Sequence, residues 1–286
     1  MVYILYNPMA KNGEGKAGAD LLFERFPDAQ PPIDLTGLDM RAFLSERTGE
    51  DAVYICGGDG TLNHLANDAD GLSDNCAIYL YRGGSGNDFL HDLGDEVKED
   101  VVQINKYLKD LPTVTVNGME RRYINGIGYG IDGMVCEVAD KLRAEGKKDI
   151  SYTLLSIKLL LHGYVPPTAT VTVDGESYTF GKVWLASSMK GRYYGGGMKV
   201  APDQDRRGDL LSLVMFHGTG RLRTLMIFPK IFKGEHILHE KAVTVLKGKS
   251  VTVSFDRPTA LQIDGETVSG VTSYSARATE KEPTKV

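Results

Sequence analysis

Two rhythms of hydrophobic and polar positions divide this chain. Up to residue 111, short apolar runs alternate with stretches whose apolar residues recur at helical spacing. Val2-Tyr3-Ile4-Leu5-Tyr6 reads as a buried strand, stopped by Pro8 and followed by a helix from about Ala17 to Phe26. Pro32-Ile33-Asp34-Leu35-Thr36 reads as a second strand, with a helix from Met40 to Thr48 behind it. Ala52-Val53-Tyr54-Ile55-Cys56 and Ala77-Ile78-Tyr79-Leu80-Tyr81 are two further strands, and Leu62, Leu65 and Ala66 begin a helix between them. Strand and helix in regular alternation predict a parallel sheet covered on both faces.

From residue 112 the rhythm shortens. Thr113-Val114-Thr115-Val116, Asn117-Gly118 and Arg122-Tyr123-Ile124 have the form of a hairpin with an Asn-Gly turn. Val171-Thr172-Val173, Asp174-Gly175 and Tyr178-Thr179-Phe180 form a second, and Lys182 to Ser187, Leu210 to Phe216, Val243 to Leu246 and Val251 to Phe255 read as strands. One helical insertion, from about Gly133 to Tyr164, interrupts them. Short strands with turn signals at this spacing predict a sandwich. The fold expected is therefore an α/β N-terminal domain over 1–111, a β-sandwich over 112–275 and a polar tail over 276–286, with no repeat and no long linker.

Composition agrees with this division and narrows it little further. A length of 286 residues suggests two domains, and 42% apolar with 25% charged residues is ordinary for a soluble globular protein. A net charge of −5 argues against a nucleic-acid partner. Cys56, Cys76 and Cys136 are scattered without zinc or redox spacing, which fits a reducing cytoplasm. The chain opens directly into its first strand, so no signal peptide is expected, and no apolar run reaches the length of a transmembrane segment.

The candidate chemistry sits where strands run into glycine turns. Gly57-Gly58-Asp59-Gly60-Thr61-Leu62-Asn63-His64 places three glycines between a strand and a helix, where positive φ and bare N–H groups would admit an anion. On this reading the glycines set the loop geometry. Asp59, which would repel phosphate, faces a magnesium ion or a proton to be moved. The plainer alternative is a tight turn with Asp59 or Thr61 as a helix cap. Arg82-Gly83-Gly84-Ser85-Gly86-Asn87-Asp88-Phe89 repeats the strand-to-glycine pattern, with Ser85 and Asn87 offered to phosphate or ribose, or Asn87-Asp88 serving as a helix cap. Asn7-Pro8-Met9-Ala10-Lys11 with Gly13 and Gly15 makes a third such loop, without Walker A spacing. In a parallel sheet all three emerge at the carboxyl edge, where ligands bind.

Taken together, Asn7-Pro8, Gly57 to Asn63 and Gly84-Ser85-Gly86-Asn87-Asp88-Phe89 resemble the diacylglycerol kinase catalytic family, which is related to sphingosine kinases and NAD kinases. The resemblance continues through Tyr123-Ile124-Asn125-Gly126-Ile127-Gly128-Tyr129-Gly130-Ile131-Asp132, Gly195-Gly196-Gly197-Met198-Lys199-Val200-Ala201-Pro202 and Asp264-Gly265-Glu266, and so covers nearly the whole chain. It implies a nucleotide-binding α/β domain, a C-terminal β-sandwich, and an active site in the cleft between them. It also implies an ATP- and magnesium-dependent lipid kinase acting on diacylglycerol or a related lipid at a membrane surface. The protein would be cytoplasmic, peripheral to the inner membrane face, with a homodimer left open.

Carried over by position, Asn7, Pro8, Met9, Ala10, Lys11, Thr36, Gly57, Gly58, Asp59, Gly60, Thr61, Leu62, Asn63, His64, Gly84, Ser85, Asn87 and Asp88 would hold ATP. Glu266 or Asp264 would be the base, with Asp59 a third catalytic carboxylate. Read from the residues alone, Asp264-Gly265 is equally the turn of a hairpin. His64 stands where relatives commonly carry glutamate. Gly208-Asp209 reverses the family's Asp-Gly pair, which in relatives belongs to a structural magnesium site. That leaves Asp209 and Arg206 as the metal region, with Asp203 and Asp205 as alternative carboxylates or partners for Arg206 and Arg207. The stripe of Leu222, Leu225, Met226, Phe228, Ile231 and Phe232 beside Arg221, Arg223, Lys230 and Lys233 fits either an anionic lipid surface or a helix covering the core, broken by Pro229. A kinase for a soluble alcohol such as NAD or a sugar phosphate is the alternative enzyme. A non-catalytic nucleotide sensor is the alternative outside catalysis.

Overall fold

The apolar runs Val2–Tyr6 and Ala52–Gly57 become strands that are buried or half-buried at every position. The computed structural model describes residues 1–10, 15–84, 86–147 and 150–279. They divide into two compact units at Leu111 and Pro112. In the first, β1 (Val2–Tyr6), α1 (Gly15–Arg25), β2 (Ile33–Asp34), α2 (Met40–Ser45), β3 (Ala52–Gly57), α3 (Asp59–Asp68) and β4 (Ala77–Arg82) alternate, followed by α4 (Asp88–Leu93), β5 (Val101–Gln103) and α5 (Asn105–Lys109). The sheet order is β2-β1-β3-β4-β5, with the first four strands parallel and β5 antiparallel to β4 at the edge. Register places Tyr6 beside Cys56 and Cys56 beside Tyr81, so the loops leaving β1, β3 and β4 share one sheet edge. Ile4 and Cys56 meet Ala19 and Leu22 of α1 on one face. β2 is shorter than its apolar run suggests, because only Ile33 and Asp34 find partners on β1.

The second unit contains β6 (Thr113–Val116), β7 (Met119–Arg122), β8 (Gly126–Gly130), α6 (Ile131–Ala144), α7 (Tyr152–Leu161), β9 (Ala169–Val173), β10 (Glu176–Phe180) and β11 (Leu185–Met189). β12 (Leu211–Phe216), α8 (Arg221–Ile227), β13 (Val243–Gly248), β14 (Ser250–Ile263) and β15 (Glu266–Arg277) complete it. The strands are antiparallel, in the order β13-β12-β11-β8-β14-β15-β6-β7, with β9 and β10 branching from β14. β14 reaches both layers: Val251 to Phe255 pair with β9 and Leu261 to Ile263 pair with β8, and the register with β15 shifts between these segments. That irregularity turns one strand pair from layer to layer, as corner bulges do in sandwiches.

Two cores explain why β11 and β12 are buried at every position instead of alternating. Leu211, Leu213 and Met215 of β12 point into a core shared with Val171, Val253 and Leu261. Val214 and Phe216 point the other way, into a core closed by α6, α7 and α8 with Trp184. The expected strand from Lys182 lies three residues further on, since Lys182 sits in a turn with φ of 53°. The helical insertion is two helices, separated after α6 at Gly146 with φ of 86°. The tail begins later than residue 276: Ala276 and Arg277 pair with Val114 and Thr113 of β6, while residues 280–286 lie outside the described residues. α8 covers the core with Thr224 and Ile227, and Pro229 opens a 3-10 turn at Phe228–Lys233 that buries Ile231. Leu222 and Met226 on its other side are exposed. No helix among the described residues is long and apolar enough to cross a membrane.

His236 ties the turn beyond α8 to this second core, its Nε2 bonded to the Val200 carbonyl at 2.9 Å while Nδ1 is buried without a partner among the described residues. Burial pushes its pKa from 6.5 down to about 4, against the smaller opposing effect of the Val200 bond. The folded state therefore resists protonation, and the stability due to neutral His236, present above pH 6.5, is lost as pH falls toward 4. A difference of that size is worth about 3 kcal/mol. Urea unfolding of wild type and His236→Gln between these pH values should show the acid loss of stability reduced by that order in the variant. Parallel pH profiles would contradict it.

Candidate active site

The glycine turns are built by backbone contact, not by positive φ. Gly58 caps α3 in an extended conformation, φ −104° and ψ −165°, and none of Gly57, Gly58, Gly60, Gly83 or Gly84 has positive φ. What they share is proximity. A Cβ on Gly58 would lie 2.8 Å from the Gly84 Cα, and one on Gly84 would lie 2.4 Å from the Gly58 Cα. A Cβ on Gly83 would meet the Gly57 nitrogen at 2.7 Å, a constraint that the sequence reading did not assign. The two turns thus lie backbone on backbone, and Gly83 N donates to Gly57 O at 3.1 Å. The expectation of positive φ is corrected: glycine is required here by space. Gly60 has open space around it.

Asp59 fastens the same pair of turns. Its Oδ2 accepts from the Asp88 N–H at 2.9 Å and its Oδ1 from the Phe89 N–H at 2.8 Å, so one carboxylate holds the first turn of α4. A helix start carries unsatisfied N–H groups and positive partial charge, which is why an acid fits there. Loop geometry therefore rests on Asp59 as well as on the glycines. Asn87, at φ 52°, closes its own loop: Oδ1 accepts from Gly84 N at 3.1 Å and Nδ2 donates to Gly84 O at 2.6 Å. Asp88 is buried behind it. Ser85 and Lys11 lie outside the described residues.

From the first loop, Asn7 reaches across to α3. Its Nδ2 donates to Thr61 Oγ1 at 3.0 Å, and its Oδ1 accepts from Met9 N at 2.9 Å. Ala10 N returns to Asn7 O, which closes the turn around Pro8 and leaves the Met9 side chain exposed. Beside these residues lies an open cavity of about 270 Å3, lined by Asn7, Leu35, Thr36, Thr61, His64 and Asp68 among others. Of the residues assigned to ATP, Asn7, Thr36, Thr61 and His64 thus share one cavity. Leu62 and Asn63 face the packed side of α3 and support the turn from behind.

In the second unit, Asp264 and Gly265 have φ of 47° and 94° and form the tight turn between β14 and β15. The Asp264 carboxylate accepts from the N–H groups of Ile124 at 2.6 Å, Asn125 at 2.8 Å and Gly126 at 3.0 Å. It is an anchor for the start of β8. Glu266 is paired with the Arg121 guanidinium on β7, a partner that no sequence signal marked. Arg206 is buried and donates to Ile124 O at 2.7 Å and Asn125 Oδ1 at 2.6 Å, so its donor-only side chain braces the same segment and cannot ligate a metal. Asp209 is paired with Lys249 at 3.5 Å, and Asp205 Oδ1 caps the Arg207 N–H at 2.9 Å. Among the described residues no three acidic, histidine or cysteine side chains gather in a metal-holding group. The Asp209 carboxylate is thus engaged by a lysine, and Arg206 holds backbone and amide oxygens of the segment before β8.

Two outcomes follow from this geometry. Asp59→Ala should lower stability by about 1.5–3 kcal/mol, the value of hydrogen bonds to a charged group, measured by urea unfolding. An unchanged midpoint would show that Asp59 does not fasten α4. Gly84→Val should separate the two turns and weaken nucleotide binding at least tenfold in calorimetry, whereas Gly60→Ala should leave affinity near wild type because space surrounds it. Equal affinities in all three proteins would deny the turns a part in binding.

Residues 1–117 match the Diacylglycerol kinase catalytic domain, and residues 125–282 match the YegS C-terminal NAD kinase beta sandwich-like domain. A diacylglycerol kinase of Mycobacterium tuberculosis (strain CDC 1551 / Oshkosh) is 26% identical over 267 residues, 88% of this chain and 84% of that protein. A diacylglycerol kinase of Bacillus subtilis (strain 168) is 25% identical over 222 residues, 76% of this chain and 71% of that protein. The crystal structure of a diacylglycerol kinase from Bacillus anthracis str. Sterne has the same fold, with a TM-score of 0.63 at 20% identity over 98% of this chain and 93% of that one. Both domain matches occur in one chain, in the order in which its α/β and sandwich units occur, and the protein belongs to the diacylglycerol kinase family of lipid kinases.

Proposed function

We propose that this protein transfers the γ-phosphoryl group of ATP to a hydroxyl of diacylglycerol or a related lipid. The observation that carries the reading is the pair of glycine turns lying backbone on backbone at the start of α3, with the cavity of Asn7, Thr36, Thr61 and His64 beside them. A helix start with no side chain in the way presents N–H groups and positive partial charge to phosphate. Asn7, Thr61 and Thr36 supply amide and hydroxyl groups for the rest of the nucleotide, and His64 lies on the cavity wall. Phosphoryl transfer asks the protein mainly for alignment and charge. The one proton to be removed is that of the lipid hydroxyl.

In this reading Glu266 accepts that proton. Asp264 accepts three backbone N–H groups and serves to orient the turn, while Glu266, at the next strand start, is positioned through Arg121. Asp59 joins the two phosphate-facing turns. The lipid is met at a membrane surface, and no helix among the described residues is long and apolar enough to span it.

Removing a general base costs about 10²–10⁴ in rate, so Glu266→Gln should lose that factor in kcat with ATP affinity near wild type. Asp264→Asn should differ in kind: it loses one of the two carboxylate oxygens that accept from three N–H groups and should lower the unfolding midpoint as well as kcat. Labelled ATP offered with dispersed diacylglycerol, NAD and sugar phosphates reads both. Full turnover of lipid by Glu266→Gln would remove it as the base, and transfer to NAD or a sugar phosphate alone would replace the lipid reading.

A further inference from the structure

The face of β8 turned toward α6 carries no side chain at Gly128, and the space is filled by two polar groups. A Cβ there would lie 1.7 Å from Asp132 Oδ2 and 2.7 Å from Gln262 Nε2. Those atoms are bonded to each other: Gln262 Nε2 donates to Asp132 Oδ2 at 2.8 Å. The other end of the same amide, Oε1, accepts from the Gly265 N–H at 2.6 Å. A chain of two hydrogen bonds thus runs from the first turn of α6, through a buried glutamine of β14, to the middle of the Asp264-Gly265-Glu266 turn.

We propose that Asp132 and Gln262 are positioning residues for this turn, with ionised Asp132 fixing which end of the Gln262 amide faces Gly265. The inference rests on the assignment of Glu266 to catalysis only for its effect on rate. An ionised carboxylate accepts and cannot donate, so it draws the NH2 end of Gln262 and leaves the carbonyl end for Gly265 N–H. A protonated Asp132 can donate to the amide oxygen. The flipped amide would then present NH2 to the Gly265 N–H, donor against donor, and Gly265 would lose its bond.

The surroundings make Asp132 responsive in the range where enzymes work. It lines a cavity of about 30 Å3 whose walls include Val135, Leu160, Trp184, Phe216 and Ile231, and no other described lining residue is charged at neutral pH. Burial pushes its pKa up to about 6, opposed by the bonds from Gln262 and Tyr194. The titratable groups facing it are Tyr194, itself bonded to Ser187 at 2.9 Å, and Cys136 one turn along α6. Burial raises the pKa of both, so they stay neutral. β8 contributes Gly128, β14 contributes Gln262, and α7 and α8 face the cavity with Ser156 and Thr224, which do not titrate.

The test combines Gly265 amide exchange by NMR with phosphoryl transfer across pH in wild type, Asp132→Asn and Gln262→Met. In wild type, Gly265 protection and kcat should fall together as pH drops through about 6. Asp132→Asn, a permanent copy of the neutral state, should show about tenfold lower protection and kcat at neutral pH, with that acidic limb gone and KM for ATP unchanged. Gln262→Met should behave likewise, and the near-isosteric Asp132→Asn decides the matter should Gln262→Met fail to fold. Wild-type Gly265 protection in both folded variants overturns the relay, whatever the protein phosphorylates. Lost protection in a protein that phosphorylates no lipid supports the relay and sinks the functional reading instead.

Discussion

The first unit depends on two stretches of main chain lying in contact with nothing between them. Gly57-Gly58 and Gly83-Gly84 approach so closely that a single methyl group on Gly58, Gly83 or Gly84 would meet backbone atoms under 3 Å away. Backbone cannot move aside as a side chain can, so this constraint is stiff. It fixes where α3 and α4 begin, and Asp59 then closes the arrangement by accepting two N–H groups from α4. The result is a start of α3 whose N-cap, Gly58, brings no side-chain cap, the kind of place where an anion can sit.

The second unit solves a similar problem by burying both faces of its central strands. β11 and β12 send alternate side chains into two different cores, one inside the sandwich and one beneath the helices. β8 lies between them with Ile127 and Tyr129 in the first core and glycines on the other face. Those glycines make room for Asp132 and Gln262 at one position and for the Met189 side chain at another. The polar groups next to the Asp264 turn are consequently held by packing on both sides, and their bonds have few alternatives.

Charge is used in both units chiefly to hold backbone. Asp59, Asp264 and Arg206 each make two or three bonds to main-chain or amide groups of a neighbouring loop. Such bonds are stronger than neutral ones and cost more when one partner is removed. An acid singled out as reactive can therefore be structural in its geometry, and variants must be read by stability and rate together.

The sequence by itself determined the class of each half, because period-two strands, helical spacing and Asn-Gly or Asp-Gly turns are local properties. Asn117-Gly118, Asp174-Gly175 and Asp264-Gly265 all adopt the paired positive φ that their composition demands. The three loops at one sheet edge were legible too, since parallel topology leaves them no other place. Tertiary structure alone decided the rest. β8 was hidden because its glycines remove the apolar alternation that marks a strand, and the burial of β11 and β12 on both faces hid which core each residue serves. The partners of Asp59, Glu266 and Asp132 lie 29, 145 and 130 residues away, and no local pattern encodes a bond across such a separation. Only folding brings those atoms within reach, and it is their meeting that separates a turn residue from a site residue.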